Sequence, residues 1–154
     1  LHRGGELMGK FSAYVEEELA KKLYKLGEDA PRIAKVMLEA AVEPLTKHVK
    51  AECRAHRRTG TMEDSVKKTR AYVAKNGAYY IVVRPTGMAT EYIDKNGQRK
   101  PRKTPVRNME IMAHAEFGTS KQAPTPILSK AIADAGPECL NVMQEVFNRE
   151  VEKL

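Results

Sequence analysis

The stretch that decides the fold is Val66-Lys67-Lys68-Thr69-Arg70-Ala71-Tyr72-Val73-Ala74, then Lys75-Asn76-Gly77, then Ala78-Tyr79-Tyr80-Ile81-Val82-Val83-Arg84. Two runs rich in β-branched and aromatic side chains flank an Asn-Gly pair. Asn76-Gly77 is the strongest short hairpin signal, because both turn positions tolerate positive φ. A β-hairpin is therefore expected between residues 66 and 84, and the pattern on either side of it is helical.

Upstream, Phe11, Tyr14, Val15, Leu19, Leu23 and Leu26 recur at steps of three and four, with Glu16, Glu17, Lys21, Lys22 and Lys25 on the opposite face. That is one amphipathic helix, with Ser12 as its N-cap and Gly27 as its stop. A second helix is expected from about Ala30, with Pro31 in its first turn, through Ile33, Val36, Met37, Ala40, Ala41, Leu45 and Val49 to about Ala55. Pro44 should kink or divide it, since proline lacks an N–H and crowds the preceding turn. A basic polar loop, His56 to Thr61, follows, and Met62-Glu63-Asp64 opens a short helical turn.

Downstream, Glu91-Tyr92-Ile93 can pair back across Asp94-Lys95-Asn96-Gly97 as a second, smaller hairpin. Lys95, Arg99, Lys100, Arg102, Lys103 and Arg107 are six bases with no acid among them, and Pro101 and Pro105 argue against a central strand. Residues 85–107 are thus expected to form a projecting basic arm. Asn108 to Phe117 fits either a short helix or a strand, ended by Gly118. A last helical region begins near Ile127, is expected to break at Gly136-Pro137, and carries Leu140, Met143, Phe147 and Val151 as its buried stripe. Helices and strands are segregated along the chain. The fold class is α+β: long N-terminal helices, an antiparallel β-sheet built on a hairpin, and a C-terminal helix, in a single domain over residues 1–154. Residues 1–10 are set aside as disordered or as an added leader, with Met8 an alternative start.

The 154 residues are 42% hydrophobic, normal for a globular chain. The longest apolar run, Ala78 to Val83, is far short of the roughly 20 residues of a membrane span. Twenty-seven basic against twenty acidic side chains give a net charge of +7, which favours nucleic acid, acidic proteins or anionic surfaces without choosing among them. Cys53 and Cys139 are too few for a disulfide scaffold and fit a reducing cytoplasm.

Enzyme signatures are missing: there is no phosphate loop, zinc-protease helix or nucleophile elbow. His48, Cys53 and His56 fall near one helical stripe, but a closed zinc site wants four ligands in paired spacings, and no second pair follows. His114 and Glu116 would share a face on a strand, yet lack a third orienting group. Tyr79 and Tyr80 read as sheet filling. No catalytic residue, metal or cofactor is expected. The plain reading of the basic arm is a solvated loop; its functional reading is non-specific phosphate contact by Lys95, Arg99, Lys100, Arg102, Lys103 and Arg107. Without interleaved aromatics, a base-stacking site is not expected.

Arg58-Thr59-Gly60-Thr61-Met62-Glu63-Asp64-Ser65-Val66 joins the helices to the hairpin. Ala113-His114-Ala115-Glu116-Phe117-Gly118-Thr119 later precedes Ala123-Pro124-Thr125-Pro126-Ile127-Leu128-Ser129-Lys130-Ala131-Ile132. This pairing resembles the small tail-component family of long-tailed phages, the gene-product-ten-like tail-completion proteins, in order from about Leu19 to the C-terminus. Two features depart from the family's pattern: Ile127 stands where many members carry an aromatic, and the arm from Thr90 to Arg107 is longer than usual.

The resemblance implies a virion structural protein, assembled in the bacterial host cytoplasm, that forms a ring of six copies at the tail end or head–tail junction and meets connector and tail-tube proteins. No catalysis and no membrane are implied. Arg58, Thr59, Gly60, Glu116, Phe117, Gly118, Thr119 and Pro126 become the assembly or structural motif. In that setting Thr59-Gly60 turns the chain from helix to sheet, where glycine avoids a Cβ clash. Phe117 would anchor its turn in the core, leaving Glu116 and Thr119 for caps or a neighbouring subunit. The competing reading is a DNA-binding accessory protein that uses the arm 95–107.

Overall fold

A computed structural model describes residues 17–56 and 58–154. Residues 1–10, set aside above, and the Ser12 cap lie outside the described residues. The elements in chain order are α1 (Glu17–Ala55), α2 (Thr61–Ser65), β1 (Val66–Lys68), β2 (Tyr72–Val73), β3 (Tyr79–Tyr80), β4 (Val83–Pro85), β5 (Met88–Ile93), β6 (Arg99–Arg107), α3 (Asn108–Phe117) and α4 (Leu128–Glu152). The α+β class holds.

The expected pair of N-terminal helices is one helix: α1 runs 39 residues, roughly 58 Å, through Gly27, Pro31 and Pro44. The expected break at Gly136-Pro137 is likewise absent, and α4 continues for 25 residues. Each proline forfeits one helical bond, to the carbonyl of Gly27, Ala40 or Ala133. What carries α1 across Pro44 and α4 across Pro137 is mutual packing. They lie antiparallel, joined by Arg32 to Glu150 at 2.9 Å, His48 to Glu138 at 3.4 Å and Lys130 to Glu52 at 3.2 Å. A proline in an isolated helix costs about 3 kcal/mol, whereas here the buried face Ile33, Ala41, Val42, Pro44 and Val49 holds the helix together.

The stripe on α4 is rotated from the expected one. Ala131, Ala135, Val146 and Glu150 are buried, Leu140 is 68% exposed, and Met143, Phe147 and Val151 are half-buried. Counting apolar residues misses this face because small alanines allow the close approach to α1. It also misses Glu150, a buried acid satisfied by Arg32 and by Lys153 at 3.3 Å. Those partners hold its carboxyl below the ordinary range, Arg32 contributing most.

The expected hairpin is present, as two ladders in succession. β1 pairs with β4 (Val66 opposite Pro85, Lys68 opposite Val83), and β2 pairs with β3 (Tyr72 opposite Tyr80, Val73 opposite Tyr79). Between them Arg70 and Ala71 face Ile81 alone, a bulge flanked by the bond from Thr69 N–H to the Val82 carbonyl at 2.9 Å. The turn is a correction. It has three residues, Lys75-Asn76-Gly77, closed by the Ala74 N–H on the Ala78 carbonyl, and of these only Gly77 takes a positive φ (82°). Tyr72 and Tyr80 stack across the strands at 5.8 Å.

The second hairpin, β5 with β6, repeats that turn as Lys95-Asn96-Gly97, with Gly97 at φ 78°. It is longer than expected, extending to Met88 opposite Arg107. Both prolines are accommodated because the ladder has only two strands. Pro105 sits in the irregular stretch opposite Thr90, and Pro101 faces Glu91, whose carbonyl accepts a bond from Arg102 Nε at 3.1 Å instead of an amide. Asn108 to Phe117 resolves as helix α3. The core lies where α1, β1, α3 and the start of α4 meet: Val49, Cys53, Val66, Met112, Ile127 and Ala131.

Candidate assembly site

The Thr59-Gly60 loop, the basic hairpin and the segment after α3 border one open groove of about 770 Å³. Its first wall follows from backbone geometry. Gly60 sits at φ 85° ahead of α2, a left-handed conformation that side chains resist and glycine adopts freely. Thr59 and Thr61 hydroxyls meet at 2.6 Å, and the Thr59 carbonyl accepts from Arg99 Nη2 at 3.3 Å, tying the loop to the hairpin.

The hairpin's charge is partly neutralised by acids on its other strand. Arg99 pairs with Glu91 at 3.0 Å, Lys100 with Asp94 at 2.9 Å, and Arg102 lies over the Tyr92 ring at 5.7 Å. Asp94 also accepts the Gln98 and Asn96 amides. The Gln98 bond does most, with Lys100, to hold its carboxyl below the ordinary range. Among the described residues, Lys95, Lys103 and Arg107 are left without an ion pair, all exposed. The six bases are therefore three engaged and three open.

The third wall is built on Glu116, and here the expected roles of two neighbours are exchanged. Phe117, expected in the core, is 79% exposed, while Glu116 is only 8% exposed. The Glu116 carboxylate accepts the Ile127 and Leu128 amides on Oε2 at 2.8 and 2.9 Å, and the Ser129 amide on Oε1 at 3.0 Å. The Ser129 hydroxyl donates to Oε1 as well. These are the unpaired N–H groups at the start of α4, so Glu116 caps a helix from outside it. Burial opposes the charge, but the Ser129 hydroxyl and the three amides outweigh it and hold the carboxyl below its ordinary 4.5.

Gly118, at φ 74°, ends α3 with its N–H on the His114 carbonyl at 2.9 Å. Thr119 closes the following turn by bridging Gln122, and its hydroxyl accepts the Lys121 amide at 3.2 Å. Pro126 is exposed immediately before the buried Ile127. Arg58 is exposed at the groove's edge. Arg58, Thr59 and Gly60 thus line the groove together with Ala115, Gln122, Thr125 and Ile127, while Glu116 is not part of the lining. Phe117 lies outside the lining. Sequence reasoning missed the groove's apolar floor, Ala89, Ile93, Val106 and Ile111, because those residues come from separate elements.

Among the described residues no group of three or more His, Cys, Asp and Glu is placed to hold a metal. Burial, with the Glu63 and Glu52 carboxylates, pushes the Cys53 thiol up to about 11, the opposite of an activated nucleophile. His114 lies exposed on a helix, not beside Glu116 on a strand. Among the described residues no helix is long and apolar enough to cross a membrane.

Compared with known proteins, the chain matches no curated protein and no solved structure significantly. One family does match, described as "Bacteriophage HK97-gp10, putative tail-component", over residues 17–95. The matched segment spans just over half of the chain and contains α1, the Thr59-Gly60 loop and the first hairpin. Glu116–Thr119 and Pro126 lie beyond it. The chain belongs to this family of bacteriophage tail components.

Proposed function

We propose that the chain is a tail-completion or head–tail joining component, acting without catalysis in the virion as a ring of copies, six by the resemblance, that meets connector and tail-tube proteins. One observation carries the assembly reading. With Arg32 already beside Glu150, the turns of α1 before it run past the end of α4, and there Leu19, Leu23 and Tyr24 are 48%, 55% and 70% exposed. Leu19 and Leu23, about 40° and 80° round the helix from the buried Ile33, continue the face that α4 covers further along, with Tyr24 flanking them. A helical stripe left open over several turns is an interaction surface. A copy-to-copy contact between different patches generates a ring where its rotation closes.

The test is Leu19→Asp with Leu23→Asp. Because both side chains are already exposed, the melting temperature should stay within about 2 °C. The yield of infectious particles should fall at least tenfold. Unchanged yield would refute the assembly role of this face.

A second reading, non-specific DNA contact, is favoured by the open charges of Lys95, Lys103 and Arg107. Neutralising all three to Gln should reduce the dependence of log affinity for duplex on log salt by roughly 3 if each contacts one phosphate. A wild-type chain with no salt-dependent duplex binding would eliminate this reading.

A further inference from the structure

Phe117 is the most exposed large apolar side chain among the described residues, yet it is held rigidly. On one side Glu116 is bolted to the α4 N-terminus, and on the other Gly118 is packed with no space for a Cβ. An aromatic ring presented on a fixed backbone loses little freedom on binding, which is how anchor residues at interfaces act. The same chain carries a complementary hollow. The open groove, about 770 Å³, is lined by the apolar Ala89, Ile93, Val106 and Ile111, and by an exposed acid, Glu110. Beside Phe117, Lys121 is exposed, and among the described residues neither Glu110 nor Lys121 has an ion-pair partner.

We propose that Phe117 of one copy inserts into this groove on the next copy, with Lys121 meeting Glu110 at the rim. Knob and hollow are different patches. Phe117 lies outside the groove's lining, about 160° round α3 from Ala115 and about 140° from Met112, while Glu110, about 20° from Phe117, stands at the edge where the two faces meet. A contact between two different patches passes from copy to copy, and closes into a ring where its rotation closes. This proposal rests on the assembly reading above and names a contact within it.

The experiment places the photo-crosslinking residue benzoylphenylalanine at position 117, which keeps an aromatic knob. Isotope-labelled and unlabelled chains are incorporated together into particles, which are irradiated and mapped by mass spectrometry. Crosslinks from position 117 to Ile111, Val106 or Ala89 of a differently labelled copy are expected. Crosslinks to another virion protein, or elsewhere on a second copy, would overturn the contact while leaving multiple copies per particle intact. A single copy per particle, read from the same spectra, would overturn the assembly reading itself. In parallel, Phe117→Ser should leave melting unchanged and lower particle yield at least tenfold; normal yield would overturn the contact.

Discussion

Gly118→Ala should unfold the region between α3 and α4 well below the wild-type melting temperature. At φ 74° and ψ 177° the residue occupies a region that side chains avoid. A Cβ there would stand 2.9 Å from the Gln122 carbonyl oxygen and 2.9 Å from both the ring Cδ and the N of Pro124. Two of these three atoms are backbone and the third belongs to a ring, so none can swing aside. Backbone strain and forced displacement together cost about 3–5 kcal/mol. For a domain of this size that is a fall on the order of 10 °C, measurable by circular dichroism. Gly77 is the internal control: its φ is also positive, at 82°, but nothing lies within 4 Å of its would-be Cβ. Gly77→Ala should cost only the left-handed strain, about 1–2 kcal/mol. Equal losses at the two positions would show that the packing around Gly118 has no consequence.

Glu116→Ala should be the next most damaging change, at about 2–4 kcal/mol, because it strips four hydrogen bonds from one charged group and leaves the start of α4 uncapped. Glu116→Gln keeps the volume but not the charge and should fall between. The effect depends on pH with a definite sign. The folded carboxyl titrates below its ordinary 4.5, so its contribution is complete above that value and is lost as pH falls further, through the folded pKa. The gap in urea midpoint between wild type and Glu116→Gln should therefore be full at pH 7 and narrow below pH 4.5. Glu150 and Asp94 are shifted the same way, so both proteins lose stability in acid, and only the difference between them reports on Glu116. A gap that stays constant from pH 7 to pH 3 would mean that Glu116 acts by shape and not by charge.

These two residues mark how far the site could be read from the chain alone. Glu116-Phe117-Gly118-Thr119 stood out as a motif, yet its polarity suggested the reverse of the arrangement found. A hydrophobic residue is expected inside and a carboxylate outside, but the α4 amides are strong enough donors to draw the carboxylate in. Their position, eleven residues and more beyond Glu116, leaves no periodic signal. The arm shows the same limit. Its run of bases was plain, but the acids that engage two of the six, Glu91 and Asp94, precede the run and reach it only through strand register.

Local and short-range signals were sufficient on their own for the helical character of both ends, for the two Asn-Gly turns and for the α+β segregation, since each depends on neighbours within a few residues. Whether Pro44 and Pro137 would end their helices was a different matter, settled by the contact between α1 and α4, because a proline's cost is overridden where a second surface holds both halves in line. The folded molecule alone determined which side of α4 is buried, which of two adjacent side chains faces water, and that a groove exists at all. Each of these depends on groups far apart in the chain arriving at one place.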